Sequence, residues 1–305
     1  MAVSSNMDSS ALFDRKLDTL SVFSAINRDA VFHAFRQCFY ELDEHCERIA
    51  DIANFAGALY NLGNTDNWTE YLSKRVMSLE PPCSRFAAAG EAIPSYIEEA
   101  ARNDLRILSE AAAVTSERML EDTPNDLYIP KWRTSPVDFE TAYFCWLSEI
   151  DKHGYGDYAL YKMFHMELSD DAENGFILKP VAYPDAVQLS DLIGYELQRN
   201  KVLANTQALL RDQKASNVLL YGDAGTGKSA TVKAIANAYA KEGLRLIELS
   251  KKELHLLPKL LELLCTNPLK FILFIDDLSF QDNDDDFSAL KAVLEGSISA
   301  SSHNT

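Results

Sequence analysis

Residues 222–229 read Gly-Asp-Ala-Gly-Thr-Gly-Lys-Ser, which is the pattern G-x-x-x-x-G-K-[ST] of a phosphate-binding loop. A short apolar run at 218–221 precedes the loop, and a helix-like stretch over 230–241 follows it. Strand, glycine-rich loop and helix in this order are the context that the motif requires. The alternative, a chance match in a turn, is disfavoured by that context.

The loop carries the groups that a nucleoside triphosphate needs. Glycines let successive backbone N–H groups point at a phosphate, and the N-terminus of the following helix adds partial positive charge. We expect Lys228 to reach the β- and γ-phosphates and Ser229 to place its hydroxyl on Mg²⁺. The predicted nucleotide-binding residues of this loop are Gly222, Asp223, Ala224, Gly225, Thr226, Gly227, Lys228, Ser229 and Ala230.

A second motif follows one strand–helix unit later, where the apolar run 271–275 ends in Asp276 and Asp277. A buried strand would carry both acids to the carboxyl edge of a parallel sheet, where the phosphate-binding loop also lies. Asp276 is the candidate Mg²⁺ ligand beside Ser229. Asp277, which would polarise an attacking water, and Lys228 are the candidate catalytic residues. The alternative is that the two acids only cap the next turn.

The composition of the chain limits which partners the protein is expected to bind and in which compartment it is expected to lie. The net charge of −17 opposes binding to nucleic acid and to anionic membrane surfaces. No apolar run approaches the roughly 20 residues that span a bilayer, and the N-terminus lacks the apolar region of a secretory signal. Five scattered cysteines without a C-x-x-C pair indicate buried thiols in a reducing compartment. We therefore expect a cytoplasmic protein with no membrane or nucleic-acid partner.

The chain changes character near residue 175. Before it, apolar residues recur at spacings of three and four, which predicts helices. Tyr158, Tyr161, Phe164 and Met166 suggest a last short helix there. After it, predicted strands at 218–221, 245–249 and 271–275 alternate with predicted helices at 195–211, 230–241 and 251–264. The expected architecture is an all-α helical domain over 1–175, followed by an α/β P-loop NTPase domain with a parallel sheet over 176–305.

Three segments, 189–201, 221–229 and 271–280, together resemble an uncharacterised bacterial group of AAA+ ATPases that is classed as a domain of unknown function. Residues 154–158 and 289–296 are also similar to that group, so the resemblance covers roughly 150–296. It implies an ATP-binding α/β domain behind a helical N-terminal domain. It also implies a homo-oligomeric ring for the full-length protein, because the arginine finger of such ATPases comes from a neighbour. By similarity, Ile193 and Gly194 line the adenine pocket.

The chain departs from the AAA+ pattern in two places. Asp277 stands where most of these proteins have glutamate. Its side chain is one methylene shorter, so the attacking water that glutamate would bind is expected to be harder for Asp277 to reach. After Ser297 the chain also lacks the fourth strand with its polar sensor, the arginine finger, the fifth strand and the helical lid. We therefore expect a C-terminally truncated member whose AAA+-like sheet is incomplete.

These observations predict ATP binding through a Walker A and Walker B pair. The full-length parent is expected to couple Mg²⁺-dependent ATP hydrolysis to the movement of an unidentified protein partner. The alternative is a sensor or scaffold module that binds the nucleotide without hydrolysing it, which Asp277 favours for this chain. A small-molecule kinase is a third possibility, but it needs an arginine-bearing lid that the sequence does not contain. Whether this chain hydrolyses ATP stays open.

Overall fold

The structure is a computed structural model that describes residues 13–39, 45–119, 128–276 and 304–305. The chain divides into two compact units, residues 1–148 and residues 149–305. Residues 149–175, which the sequence pattern grouped with the helical region, belong to the second unit, where they supply a strand of its sheet.

The first unit is helical in the residues that the structure describes, as the apolar spacing predicted. Local side chains set where its helices begin. Asp29 accepts hydrogen bonds from the N–H groups of Val31 and Phe32, and Asn67 accepts one from the N–H of Glu70 at 3.1 Å. The helices are α1 Ala30–Gln37, α2 His45–Asn61, α3 Trp68–Ser78, α4 Pro82–Ala88, α5 Ser95–Ala112, α6 Ser116–Met119 and α7 Phe139–Ser148.

Aromatic rings in stacked and edge-to-face contact form the centre of this unit. The ring of Trp68 lies 4.8 Å from that of Phe35 and 5.0 Å from that of Phe55, centroid to centroid. All three side chains are fully buried. The indole N–H of Trp68 donates to the carbonyl of Ala111 at 2.9 Å, which satisfies a carbonyl in the last turn of α5. These aromatic side chains are therefore part of the hydrophobic core.

The second unit combines helices with a four-stranded sheet. Short helical turns of 3₁₀ type occupy Leu189–Asp191, Ala240–Glu242 and Lys251–Leu256. The remaining elements are α8 Ile150–His153, α9 Asp157–Leu160, β1 Met163–Leu168, β2 Phe176–Pro180, α10 Glu196–Leu210, α11 Lys228–Tyr239, β3 Leu244–Leu249, α12 Leu257–Leu264 and β4 Lys270–Ile275.

The sheet has the strand order β2-β1-β3-β4 and is mixed. β3 pairs in parallel with both β1 and β4, whereas β1 and β2 are antiparallel. The expectation of a wholly parallel sheet is therefore wrong for its outer edge. The cause is the short polar turn at 169–175, which reverses the chain; the N–H of Ser169 donates to the carbonyl of Gly175 at 3.1 Å.

Two of the expected elements differ in the structure. The predicted helix through Tyr158 and Met166 is wrong, because α9 ends at Leu160 and β1 begins at Met163. The predicted strand at 218–221 is also absent from the described sheet: these residues pair with no strand. Leu219 and Tyr221 are exposed, at 75% and 89%, while Leu220 is half-buried and packs beside Val232.

Helices cover both faces of the sheet. On one face, Ile247 and Phe271 pack in a buried cluster with leucines of α12. On the other face, Leu246 and Met163 pack against Val232 and Ala236 of α11. Helix α11 therefore lies flat on the sheet. Its preceding loop comes to the edge where the parallel strands end, because α11 runs back toward the start of β3.

No disulfide joins the cysteines whose side chains are described. Cys38 and Cys83 are buried as expected, but Cys145 and Cys265 are exposed. Among the residues that the structure describes, no helix is both long and apolar enough to cross a membrane.

Arg245 is a buried cation at the start of β3, with 5% of its surface exposed. Its guanidinium donates to the carbonyls of Tyr158, Ala240, Leu244 and His153 at 2.8–3.0 Å. Burial lowers the pKa of Arg245 to about 10, so the group stays charged at neutral pH. One side chain thus ties α8, α9 and the turn after α11 to the sheet.

We expect Arg245→Met to lower the free energy of unfolding of the second unit by about 3 kcal/mol, because it leaves buried carbonyls without a donor. Amide hydrogen exchange should accelerate in peptides that cover 150–160. The control is Lys252→Met, which removes an exposed cation and should change stability by less than about 0.5 kcal/mol. Equal exchange in both variants would contradict this role for Arg245.

Candidate functional site

Two glycines give the loop at 222–229 its shape. Gly225 and Gly227 have φ angles of 77° and 78°, in the left-handed region that side chains with a Cβ rarely adopt. Space remains open where a Cβ would stand at either position. The backbone conformation, and not crowding, therefore requires glycine at these two positions.

The loop presents unpaired backbone donors at a helix start. In this described stretch, the backbone N–H groups of residues 223–230 donate to no protein acceptor. They lie in the loop and the first turn of α11, a helix of 12 residues. The helix dipole adds positive charge at the same end. The arrangement suits an anion with several oxygens.

Lys228 lies over this loop. Its ammonium donates to the carbonyls of Gly222 at 3.0 Å and Asp223 at 2.8 Å. The hydroxyl of Thr226 donates to the same Asp223 carbonyl at 2.9 Å. The ammonium of Lys228 is thus held against the backbone of the loop whose N–H groups are unpaired.

Ser229 and Asp276 meet although they belong to different motifs. The Ser229 hydroxyl, in the first turn of α11, donates to Oδ2 of Asp276 at 2.9 Å. Asp276 follows β4 directly, so the end of this strand places its carboxylate beside Ser229. Asp277 lies outside the described residues.

These two oxygens suit a magnesium ion. Mg²⁺ is bound by one or two protein oxygens and completes its shell with water and phosphate oxygens. The residues described include no group of three or more His, Cys, Asp and Glu side chains that could hold a metal by themselves. Of the described residues, Ser229 and Asp276 would hold the ion, and water and phosphate oxygens would complete its shell.

A cleft of about 190 Å³ opens beside Asp276. In it, Nδ1 of His165 lies 3.5 Å from Oε2 of Glu248. Neither residue belongs to a recognised motif, so neither is among the residues that the sequence predicts for the site. The available signal was a lone carboxylate inside the apolar run of β3. The lining residues are His165, Met166, Glu248, Leu249, Ser250, Glu253 and Asp276.

Ile193 and Gly194 lie between the turn Leu189–Asp191 and α10. The side chain of Ile193 is 95% exposed, and the carbonyl of Gly194 accepts a hydrogen bond from Arg199 at 3.2 Å. Asn237 of α11 donates to the carbonyls of Asp185 and Val187, both at 2.9 Å. The segment that leads to Ile193 is thus tied to the helix that follows the loop, while its role in an adenine pocket stays a prediction.

Comparison with known proteins gives one family. No curated protein and no solved structure matches the chain. Residues 162–305 match a family described as "Protein of unknown function (DUF815)". The match begins one residue before β1 and includes the loop, α11, β3 and β4. The part of this chain that carries the candidate site is therefore similar to the DUF815 family.

Proposed function

We propose that the second unit binds ATP through residues 222–230, and that Ser229 and Asp276 hold the Mg²⁺ ion. The observation that carries this proposal is the 2.9 Å hydrogen bond from Ser229 to Asp276. It brings together the hydroxyl and the carboxylate that a nucleotide-bound magnesium ion requires. Bound there, Mg²⁺ would neutralise charge on the β- and γ-phosphates.

The chain's own groups would do the rest of the binding. The unpaired N–H groups of the loop and the N-terminus of α11 would hold the phosphate oxygens. Lys228 would exchange its two carbonyl acceptors for the β- and γ-phosphates. Ile193 and Gly194 would contact the adenine, which follows from the AAA+ resemblance alone.

We infer an AAA+-type P-loop fold for this unit. The parallel β3–β4 pair, with α11 on one face and α12 on the other, supports it. The antiparallel hairpin of β1 and β2 adds strands beyond β3. We also propose a cytoplasmic protein that acts on a protein partner and is a homo-oligomer in its full-length form.

Two activities fit this site: ATP hydrolysis that drives a partner, and nucleotide-dependent sensing without hydrolysis. Phosphate release measured beside Mg-ATP binding separates them. Release at a steady rate supports the ATPase, and binding without release supports the sensor.

We expect Lys228→Ala to weaken Mg-ATP binding by roughly tenfold to a hundredfold, because it removes a charge-assisted contact to the phosphates. Isothermal titration calorimetry measures the dissociation constant. The matched control is Lys233→Ala, which removes a second lysine of α11 and should leave the constant unchanged. Binding by Lys228→Ala as tight as that of the unmodified chain would remove the phosphate-binding interpretation of the loop.

Asp276→Asn should abolish the gain in ATP affinity that Mg²⁺ gives, because a neutral amide is a poor Mg²⁺ ligand. ATP titrations with Mg²⁺ and with EDTA measure that gain. Asp171→Asn, in the exposed turn between β1 and β2, is the control. If Asp276→Asn keeps the full magnesium effect, then Asp276 is not a ligand.

A further inference from the structure

Arg199, in the first turn of α10, holds the backbone that leads into its own helix. Its Nη1 donates to the carbonyl of Leu192 at 3.0 Å and to the carbonyl of Gly194 at 3.2 Å. The arginine is half-buried. Because one guanidinium nitrogen binds two carbonyls that are two residues apart, the backbone closes into a tight loop around Ile193.

This loop has an uncommon backbone conformation. Gly194 and Tyr195 follow one another with φ angles of 77° and 56°, both in the left-handed region. A tyrosine rarely adopts such an angle, and strain of this kind persists where surrounding contacts fix the backbone, often at sites that bind a ligand. The contacts of Arg199 are of that kind. At the tip of the loop, Ile193 is 95% exposed.

The contacts of Arg199 also set the direction of two backbone donors. In a trans peptide, the N–H points opposite to the carbonyl of the preceding residue. The carbonyls of Leu192 and Gly194 face the guanidinium, so the N–H groups of Ile193 and Tyr195 point away from it. Neither N–H donates to an acceptor among the residues that the structure describes. Both are therefore available to a ligand.

Helices α10 and α11 lie side by side and run in the same direction. Near their C-terminal ends, Nε2 of Gln207 donates to the hydroxyl of Tyr239 at 2.8 Å. One turn earlier in each helix, Leu203 packs against the buried cluster that contains Ile235. Gln207 and Tyr239 stand the same number of residues after the start of their helices. The two helices therefore begin at the same level, which brings the loop around Ile193 to the end of α11 where the phosphate-binding loop lies.

An ion pair at the other end of α10 agrees with this placement. Asp212, just after α10, is paired with Lys270 at the start of β4. Asp276 stands at the opposite end of β4, where it binds Ser229. Helix α10 thus ends at one edge of the sheet and begins toward the edge that carries the proposed nucleotide site.

We propose that Arg199 is a positioning residue for the base of the nucleotide, which rests on the function proposed above. It keeps the loop in shape before the nucleotide arrives, which lowers the cost of ordering it on binding. The side chain of Ile193 covers the flat face of the base, and the free N–H groups of Ile193 and Tyr195 donate to its ring nitrogens. Adenine carries an acceptor at N1, where guanine carries a hydrogen. Guanine would leave a donor of the loop unpaired, so the loop favours ATP over GTP.

The test separates the base from the phosphates. Mg-tripolyphosphate can occupy the phosphate-binding loop but has no base, so isothermal titration calorimetry compares its dissociation constant with that of Mg-ATP. We expect Arg199→Met to weaken Mg-ATP binding by about tenfold and to leave Mg-tripolyphosphate binding unchanged, because methionine cannot hold the two carbonyls. The preference for ATP over GTP should fall in the same variant.

Two further variants complete the test. Arg199→Lys should recover part of the loss, because an ammonium can still donate to one of the carbonyls. Arg211→Met is the matched control: Arg211 is exposed and follows the last residue of α10, so both dissociation constants should stay unchanged.

Mg-ATP binding by Arg199→Met as tight as that of the unmodified chain would overturn the assignment, and so would an unchanged preference for ATP over GTP. Equal losses for Mg-ATP and Mg-tripolyphosphate would also overturn it, since Arg199 would then support the whole unit. If the unmodified chain binds both ligands equally, the base makes no contact, and the assignment fails while phosphate binding stands. Binding of neither ligand by the unmodified chain is the separate failure of the proposed function.

Discussion

The hydrogen bond between Ser229 and Asp276 depends on how two layers are stacked. Helix α11 must lie on the sheet through Val232 and Ala236, and β4 must run parallel to β3 for its last residue to reach the same edge. Apolar burial sets both conditions, and no polar contact at the site is needed for them. The site is therefore a consequence of the core: a shift of α11 by one turn would separate the hydroxyl from the carboxylate by about 5.4 Å.

Much of this site could be predicted because its signals are local. The glycines of the loop indicate positive φ angles, and the apolar run before Asp276 indicates a buried strand. Parallel topology then places the end of that strand beside the loop. The bounds of α10, β3 and β4 agree with the sequence patterns to within a residue or two.

The rest depends on pairing between distant segments. Tyr158, Tyr161 and Phe164 are spaced by three, which mimics a helix, although the chain from Met163 alternates between faces as a strand. The run 218–221 has the composition of a strand but pairs with none in the described sheet. Glu248 lies beside His165 because of the register in which β1 pairs with β3. The spacing of residues along the chain does not predict that register.

The hydrogen bonds of Lys228 to the backbone of its own loop have a consequence for the anions that this loop would hold. The ammonium already has two carbonyl acceptors, from Gly222 and Asp223. An incoming ion must offer at least as many well-placed oxygens before the ammonium turns away from the backbone. A polyphosphate chain would supply several oxygens at once, whereas a chloride ion offers a single contact. In the proposed nucleotide site, the backbone contacts of Lys228 would therefore favour ligands with several oxygens over single-atom anions.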